Sequence, residues 1–145
     1  IPTLIITHSP TRKGKSAKKR ALASDQRKLN ELRNVYMDII NLPFCVTTWK
    51  DIEPTTHSGD SGFALWHTQQ FGNIRVRMVE YSPGYIADHW CKKGHVLFCI
   101  EGELHTELED GRVFILKPGM SYQVADNAEA HRSSTTTGAK LFIVD

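Results

Sequence analysis

From Pro43 to Asp145, short runs rich in Val, Ile, Phe and Thr alternate with turn residues, and no stretch between them shows the three- and four-residue spacing of an amphipathic helix. This texture constrains the fold more than any other feature, because strands this short bury little alone and must close into a sandwich or barrel. Phe44 to Trp49 opens the series. Phe63 to Phe71 follows the loop His57-Ser58-Gly59-Asp60-Ser61-Gly62, and Ile74 to Tyr81 ends at Ser82-Pro83-Gly84. Val96 to Glu101 meets Leu104 to Leu108 across Gly102, and Asp110-Gly111, a strong hairpin dipeptide, turns the chain into Arg112 to Leu116. Pro118-Gly119 leads into Ser121 to Val124, and Leu141 to Val144 is the last run. The expected fold class is all-β, and a jelly roll suits the number and length of the strands.

The first part of the chain has a different character. Residues 1–36 hold nine Lys/Arg against two acids and the remainder nine against fourteen, so a net charge of +2 conceals a basic arm on an acidic body. Thr11 to Arg20 offers no large apolar residue to offset the entropy of ordering, so irregular chain is expected there. Leu29, Leu32, Tyr36, Ile39 and Ile40 then recur at helical intervals, which predicts one short amphipathic helix over about 25–40. Ser24 or Asp25 is placed to cap it, and Asn41 and Pro43 to stop it. The division expected is a basic N-terminal extension over 1–41 and a β domain over 42–145. The charge run could meet phosphates, but no aromatic or glycine interleaving accompanies it, so a plain extension is preferred and nucleic acid is not an expected partner.

No run approaches the length of a membrane span, and the apolar start Ile1 to Ile6 precedes the positive charges instead of following them. A soluble, cytoplasmic protein without membrane contact is expected. Cys45, Cys91 and Cys99 cannot all pair within one chain, so reduced thiols are expected and any one is free to bind metal.

The chemistry concentrates in Gly84-Tyr85-Ile86-Ala87-Asp88-His89-Trp90-Cys91-Lys92-Lys93-Gly94-His95. On an extended strand, residues two apart share a face, so His89 and Cys91 point the same way, and the Lys92-Lys93-Gly94 turn can fold His95 back toward them. A histidine taken singly in a strand is more often a surface or hydrogen-bonded core residue. Two histidines and a cysteine this close, in an all-β setting, favour a divalent transition metal. Cys91 is equally readable as thiolate ligand or small interior hydrophobe. Asp88 should face away from a metal, though it could orient a ligand as hydrogen-bond acceptor.

This stretch resembles the first motif of the cupin superfamily: Gly, a few residues, His-x-His, three or four residues, Glu, six residues, Gly. Gly84, His89-Trp90-Cys91, His95 and Gly102 stand at matching intervals, with cysteine in the second histidine position and histidine in the glutamate position. The second motif is matched by Gly111, Pro118-Gly119 and His131, with Pro and Gly adjacent instead of separated. The resemblance covers about 63–134 and implies a cupin-type jelly-roll barrel, a double-stranded β-helix, with His131 as a ligand beside His89, Cys91 and His95. More narrowly, Asp88-His89-Trp90-Cys91 with Lys93-Gly94-His95 is similar to the small bacterial cupins named for an Asp-His-Cys-Trp (DHCW) cluster, a family defined by fold and motif and not by a reaction. Replacing carboxylate by imidazole and adding thiolate turns the expected cofactor toward zinc first, with iron or nickel as alternatives.

Cys99, Trp66, Arg75, Tyr122 and Gln123 are candidate pocket-wall residues, with plain packing the simpler reading of Cys99. Arg75 and Arg77 alternate with Ile74, Val76 and Met78, which could place charge in a pocket or on an exposed sheet face. His105, among Glu103, Glu107 and Glu109, reads as solvated surface, and His57 and His67 lack companions. Two functions compete: a metalloenzyme acting on a small molecule, for which no general acid or base is visible, and a non-catalytic small-ligand or metal-sensing module with a structural ion. A homodimer is expected, since pairing would cover exposed strand edges.

Overall fold

The computed structural model describes residues 19–28 and 39–145. The chain divides into two compact units, 1–38 and 39–145, each taken here by itself. In the first, residues 19–28 are helical. The helix thus begins upstream of the expected start, across Lys19 and Arg20, where Ala21, Leu22 and Ala23 supply helix-forming side chains. Ser24 does not cap it; its hydroxyl donates back to the Ala21 carbonyl at 2.8 Å. Ile39 and Ile40 are not helical. Leu29, Leu32 and Tyr36, and the basic stretch 11–18, lie outside the described residues.

The second unit is built from strands β1 (Thr55–Ser58), β2 (Phe63–Phe71), β3 (Ile74–Tyr81), β4 (His95–Gly102), β5 (Leu104–Leu108), β6 (Val113–Leu116), β7 (Ser121–Val124), β8 (His131–Ser134) and β9 (Ala139–Val144). A six-stranded sheet runs β1-β2-β3-β9-β4-β7 and a three-stranded sheet β6-β5-β8, with every pairing antiparallel. The buried cluster draws Ala64, Val79, Leu97, Cys99, Leu141 and Ile143 from the large sheet and Leu104 and Leu116 from the small one. The two sheets therefore share one core, the arrangement of a jelly-roll barrel.

Three local expectations change. Phe44 to Trp49 forms no strand: Phe44 and Val46 are exposed, and only a 3-10 turn at Trp49–Asp51 follows. His57 and Ser58, read as the start of a loop, belong instead to Thr55–Ser58, which pairs with β2. Gly102 is a corner between sheets and not a hairpin turn, since β4 pairs with β7 and β9 while β5 pairs with β6 and β8. Its φ is +78°, and a Cβ there would lie 2.1 Å from the Gly138 carbonyl oxygen, so only glycine fits the corner. The Asp110-Gly111 turn does close a hairpin, with the Gly111 amide donating to the Leu108 carbonyl at 2.9 Å.

Register positions the functional side chains. Arg77 pairs with Ile143, Ile143 with Leu97, and Leu97 with Tyr122, so these four form one row across the large sheet. Leu97 and Ile143 are core residues, so the row faces inward and takes Arg77 and Tyr122 with it. His95 is two residues before Leu97 on β4 and shares that face. In the small sheet His131 pairs with Leu108 and is 3 % exposed, which brings it inward from the opposite wall.

Candidate metal centre

Cys91 joins the barrel through a two-residue bridge. Its amide donates to the His131 carbonyl at 2.8 Å and the His131 amide donates to the Cys91 carbonyl at 3.0 Å. Antiparallel partners put their side chains on the same face, so the thiol and the imidazole meet. The loop that carries the chain from Cys91 to His95 is fastened at Gly94, whose amide donates to Asp126 Oδ1 at 2.7 Å. A Cβ on Gly94 would stand 2.5 Å from the Asp126 backbone nitrogen, so the approach requires glycine.

The result is a group of three donors. One ligand atom each from Cys91, His95 and His131 lies within 4.8 Å of the others. The His95 and His131 ring centroids are 4.9 Å apart at an interplanar angle of 67°. Each ring uses one nitrogen for structure and leaves the other bare. His131 Nδ1 donates to the Glu129 carbonyl at 2.9 Å, and its Nε2 is buried with no hydrogen-bond partner. His95 Nε2 lies 2.8 Å from the Tyr122 hydroxyl, and its Nδ1 is likewise buried and unpartnered. Buried polar atoms are seldom left in that state, and one ring nitrogen held by hydrogen bonding while the other stays free is the preparation of a histidine ligand.

The electrostatics agree. The nearby His131 ring foremost, then His95, pulls the Cys91 thiol down to about 5 against the opposing effect of burial. Cys91 in turn raises the pKa of His131, more than burial lowers it. Each shift favours the charged form of its group, and an ion bound here would take thiolate and neutral imidazole in place of the proton. Burial, with smaller contributions from Tyr81 and Cys91, raises the Tyr122 pKa, so Tyr122 stays a neutral phenol that can accept from His95. One sulfur and two nitrogens make a donor set that a divalent transition metal could occupy.

His89 lies outside this trio. Asp88 and His89 sit in a bend and not on a strand, so the two-residue alternation that would align His89 with Cys91 is broken. The His89 side chain is 68 % exposed, with Nδ1 2.5 Å from Asp88 Oδ1, and lines the cavity that holds the trio. That cavity, of about 80 Å³, is also walled by Trp66, Arg77, Tyr81, Tyr85 and Tyr122. Of the other candidate wall residues, Trp66 and Tyr122 line it, whereas Cys99, fully buried, packs in the core instead. Gln123 and Tyr122 belong to a neighbouring cavity of about 170 Å³ that shares the His131 wall. Arg75 lines a separate surface depression with Asp145.

The alternation on β3 treats Arg75 and Arg77 alike, and the structure separates them. Arg77 is 6 % exposed, sits 4.4 Å from the Trp66 ring centroid and reaches Asp145 Oδ2 at 3.2 Å. Asp145 carries no sequence signal for this role; only the β3–β9 pairing brings it to the arginines. His105 pairs with Glu103 at 2.8 Å, half-exposed, and His57 stacks on Trp66 with centroids 3.9 Å apart. No helix among the described residues is long and apolar enough to cross a membrane.

No protein-family model matches the sequence, and no curated protein does. Solved structures do match. A predicted oxalate decarboxylase from Thermotoga maritima superposes with a TM-score of 0.60 at 18% identity, over 69% of this chain and 96% of that one. Ectoine synthase from P. lautus gives 0.57 at 19% identity over 70% and 76%, and an RmlC-like cupin from Shewanella frigidimarina 0.55 at 19% over 72% and 92%. At these identities the likeness is one of fold, and the fold is that of the cupins.

Proposed function

We propose that this cupin-fold chain is a metal-binding protein whose ion, zinc in first place, is held by Cys91, His95 and His131, and that it acts as an enzyme on a small molecule. The observation that carries the reading is the pair of buried, unpartnered nitrogens, His95 Nδ1 and His131 Nε2, grouped with a low-pKa thiol. When bound, the ion supplies Lewis-acid polarisation of an oxygen or activation of a water at its open position. Tyr122 holds the His95 ring and the Glu129 carbonyl the His131 ring, each through the nitrogen not offered to the metal. The apolar faces of Trp66, Tyr81 and Tyr85 restrict water around the cavity. The Asp88–Cys91 likeness to the DHCW group belongs to this proposal, as do a cytoplasmic setting and a homodimer in which a second copy covers the β6 edge, where Val113, Phe114 and Ile115 are exposed.

Elemental analysis of the purified full chain tests the reading. One equivalent of transition metal is expected for the native protein, and far less for Cys91→Ser and His131→Ala. Full retention in both variants refutes the assignment. A second reading, a non-catalytic sensing module with a closed His₃Cys shell, is favoured by the position of His89 on the same cavity. Cobalt substitution separates the two: a spectrum unchanged by added small anions marks a closed tetrahedron, and one that shifts marks an open position.

A further inference from the structure

The cavity beside the three donors holds a buried guanidinium and two N–H groups without a hydrogen-bond partner. Asp145, its side chain 1 % exposed, is the one carboxylate between Arg75 and Arg77. Arg75 takes it in a two-pronged grip, Nε to Oδ1 at 3.0 Å and a terminal nitrogen to Oδ2, while Arg77 only shares Oδ2 at 3.2 Å. Arg77 is the buried member of the pair, and it shares its carboxylate with Arg75. A buried guanidinium with donors left over is a strong hydrogen-bonding partner for an anion. Arg77 Nε and Trp66 Nε1 are both buried without a partner. Both residues line the same cavity, with the guanidinium 4.4 Å from the indole centroid.

We propose that this cavity binds a small carboxylate, its two oxygens received by Arg77 and Trp66, as the substrate class of the metal centre. The placing next to an ion rests on the metal reading above; the anchor itself does not. Carboxylate chemistry follows from the number of donors. Two N–H groups match the two oxygens of a carboxylate. A phosphate brings more oxygens than these two groups answer. The cavity, of about 80 Å³, has room for a short-chain carboxylate beside the three donors.

Saturation-transfer NMR on the methyl group of acetate, titrated into the full-length protein with and without zinc, tests the proposal, with acetamide as the neutral isostere and inorganic phosphate as competitor. Saturable acetate binding, absent for acetamide, is expected. Trp66→Phe removes the indole donor while keeping an aromatic ring, and should weaken acetate about tenfold to a hundredfold, the range for a hydrogen bond to a charged group. Arg77→Lys, which can still pair with Asp145, should do the same by losing the planar donor set. Zinc content measured on the same samples should be unchanged in both variants. Acetate binding insensitive to both substitutions, equal binding of acetamide, no saturable binding, or displacement by phosphate at lower concentration each overturns the proposal. Acetate binding that needs Trp66 and Arg77 in a protein that never takes up zinc upholds the anchor and sinks the metal reading instead.

Discussion

Replacing Tyr122 with phenylalanine removes one oxygen and leaves the ring in place on β7. The hydroxyl is 2.8 Å from His95 Nε2 and is the partner of that nitrogen. Without it a buried ring nitrogen loses its partner, at a cost of about 1–3 kcal/mol. Part of that loss is recovered if the ring turns and offers Nε2 to the metal instead, so the lower half of the range is the sounder expectation. At about 1.4 kcal/mol per decade, 1–2 kcal/mol corresponds to a zinc affinity roughly 5- to 30-fold weaker, at the lower end of what such orienting partners contribute. Chelator competition at fixed pH measures it. Because no ligand is deleted, the loss should be much smaller than that of Cys91→Ser. An affinity equal to that of the native protein would show that the hydroxyl does not orient His95, and a loss as large as that of Cys91→Ser would show that the phenol is itself a donor.

Further outcomes follow from the same geometry. His89→Ala should retain a full equivalent of metal where His131→Ala does not; if both lose it, elemental analysis returns His89 to the coordination sphere. Burial, the strongest single influence on Asp145, opposes its charged form, but Arg75 and Arg77 together outweigh it and lower its pKa below the ordinary 3.8. A depressed folded pKa stabilises fully above the unfolded value and less as pH falls through the folded one. The stability gap between native protein and Asp145→Asn in urea melts should therefore be widest above about pH 4, in line with that reference value, and close on acidification. A gap that widens toward low pH refutes the sign. Leu141, fully buried between the sheets, should lose about 2–5 kcal/mol on change to Ala, read as a shift in urea midpoint with unchanged slope.

What could be read from the residues was local. β2 and β3 were legible to the residue because period-two alternation and turn glycines are short-range signals, and the Asp110-Gly111 hairpin for the same reason. Phe44 to Trp49 misled because apolar β-branched and aromatic residues resemble a strand whether or not a partner strand exists. His89 illustrates the same limit inside the site. Strand alternation would align it with Cys91, but the bend at Asp88 and His89 turns it toward the cavity mouth, and no residue type there announces the bend.

The sequence by itself determined an all-β chain of short strands, a basic leading segment, and a cluster of sulfur and imidazole donors about one turn, because these depend on neighbours in the chain. Tertiary structure alone decided that Cys91 stands opposite His131, that Tyr122 reaches His95, and that Arg77 and Asp145 come together behind Trp66. Those contacts are set by cross-strand register between segments far apart in the chain, and a slip of one residue in any pairing would turn each side chain to the opposite face.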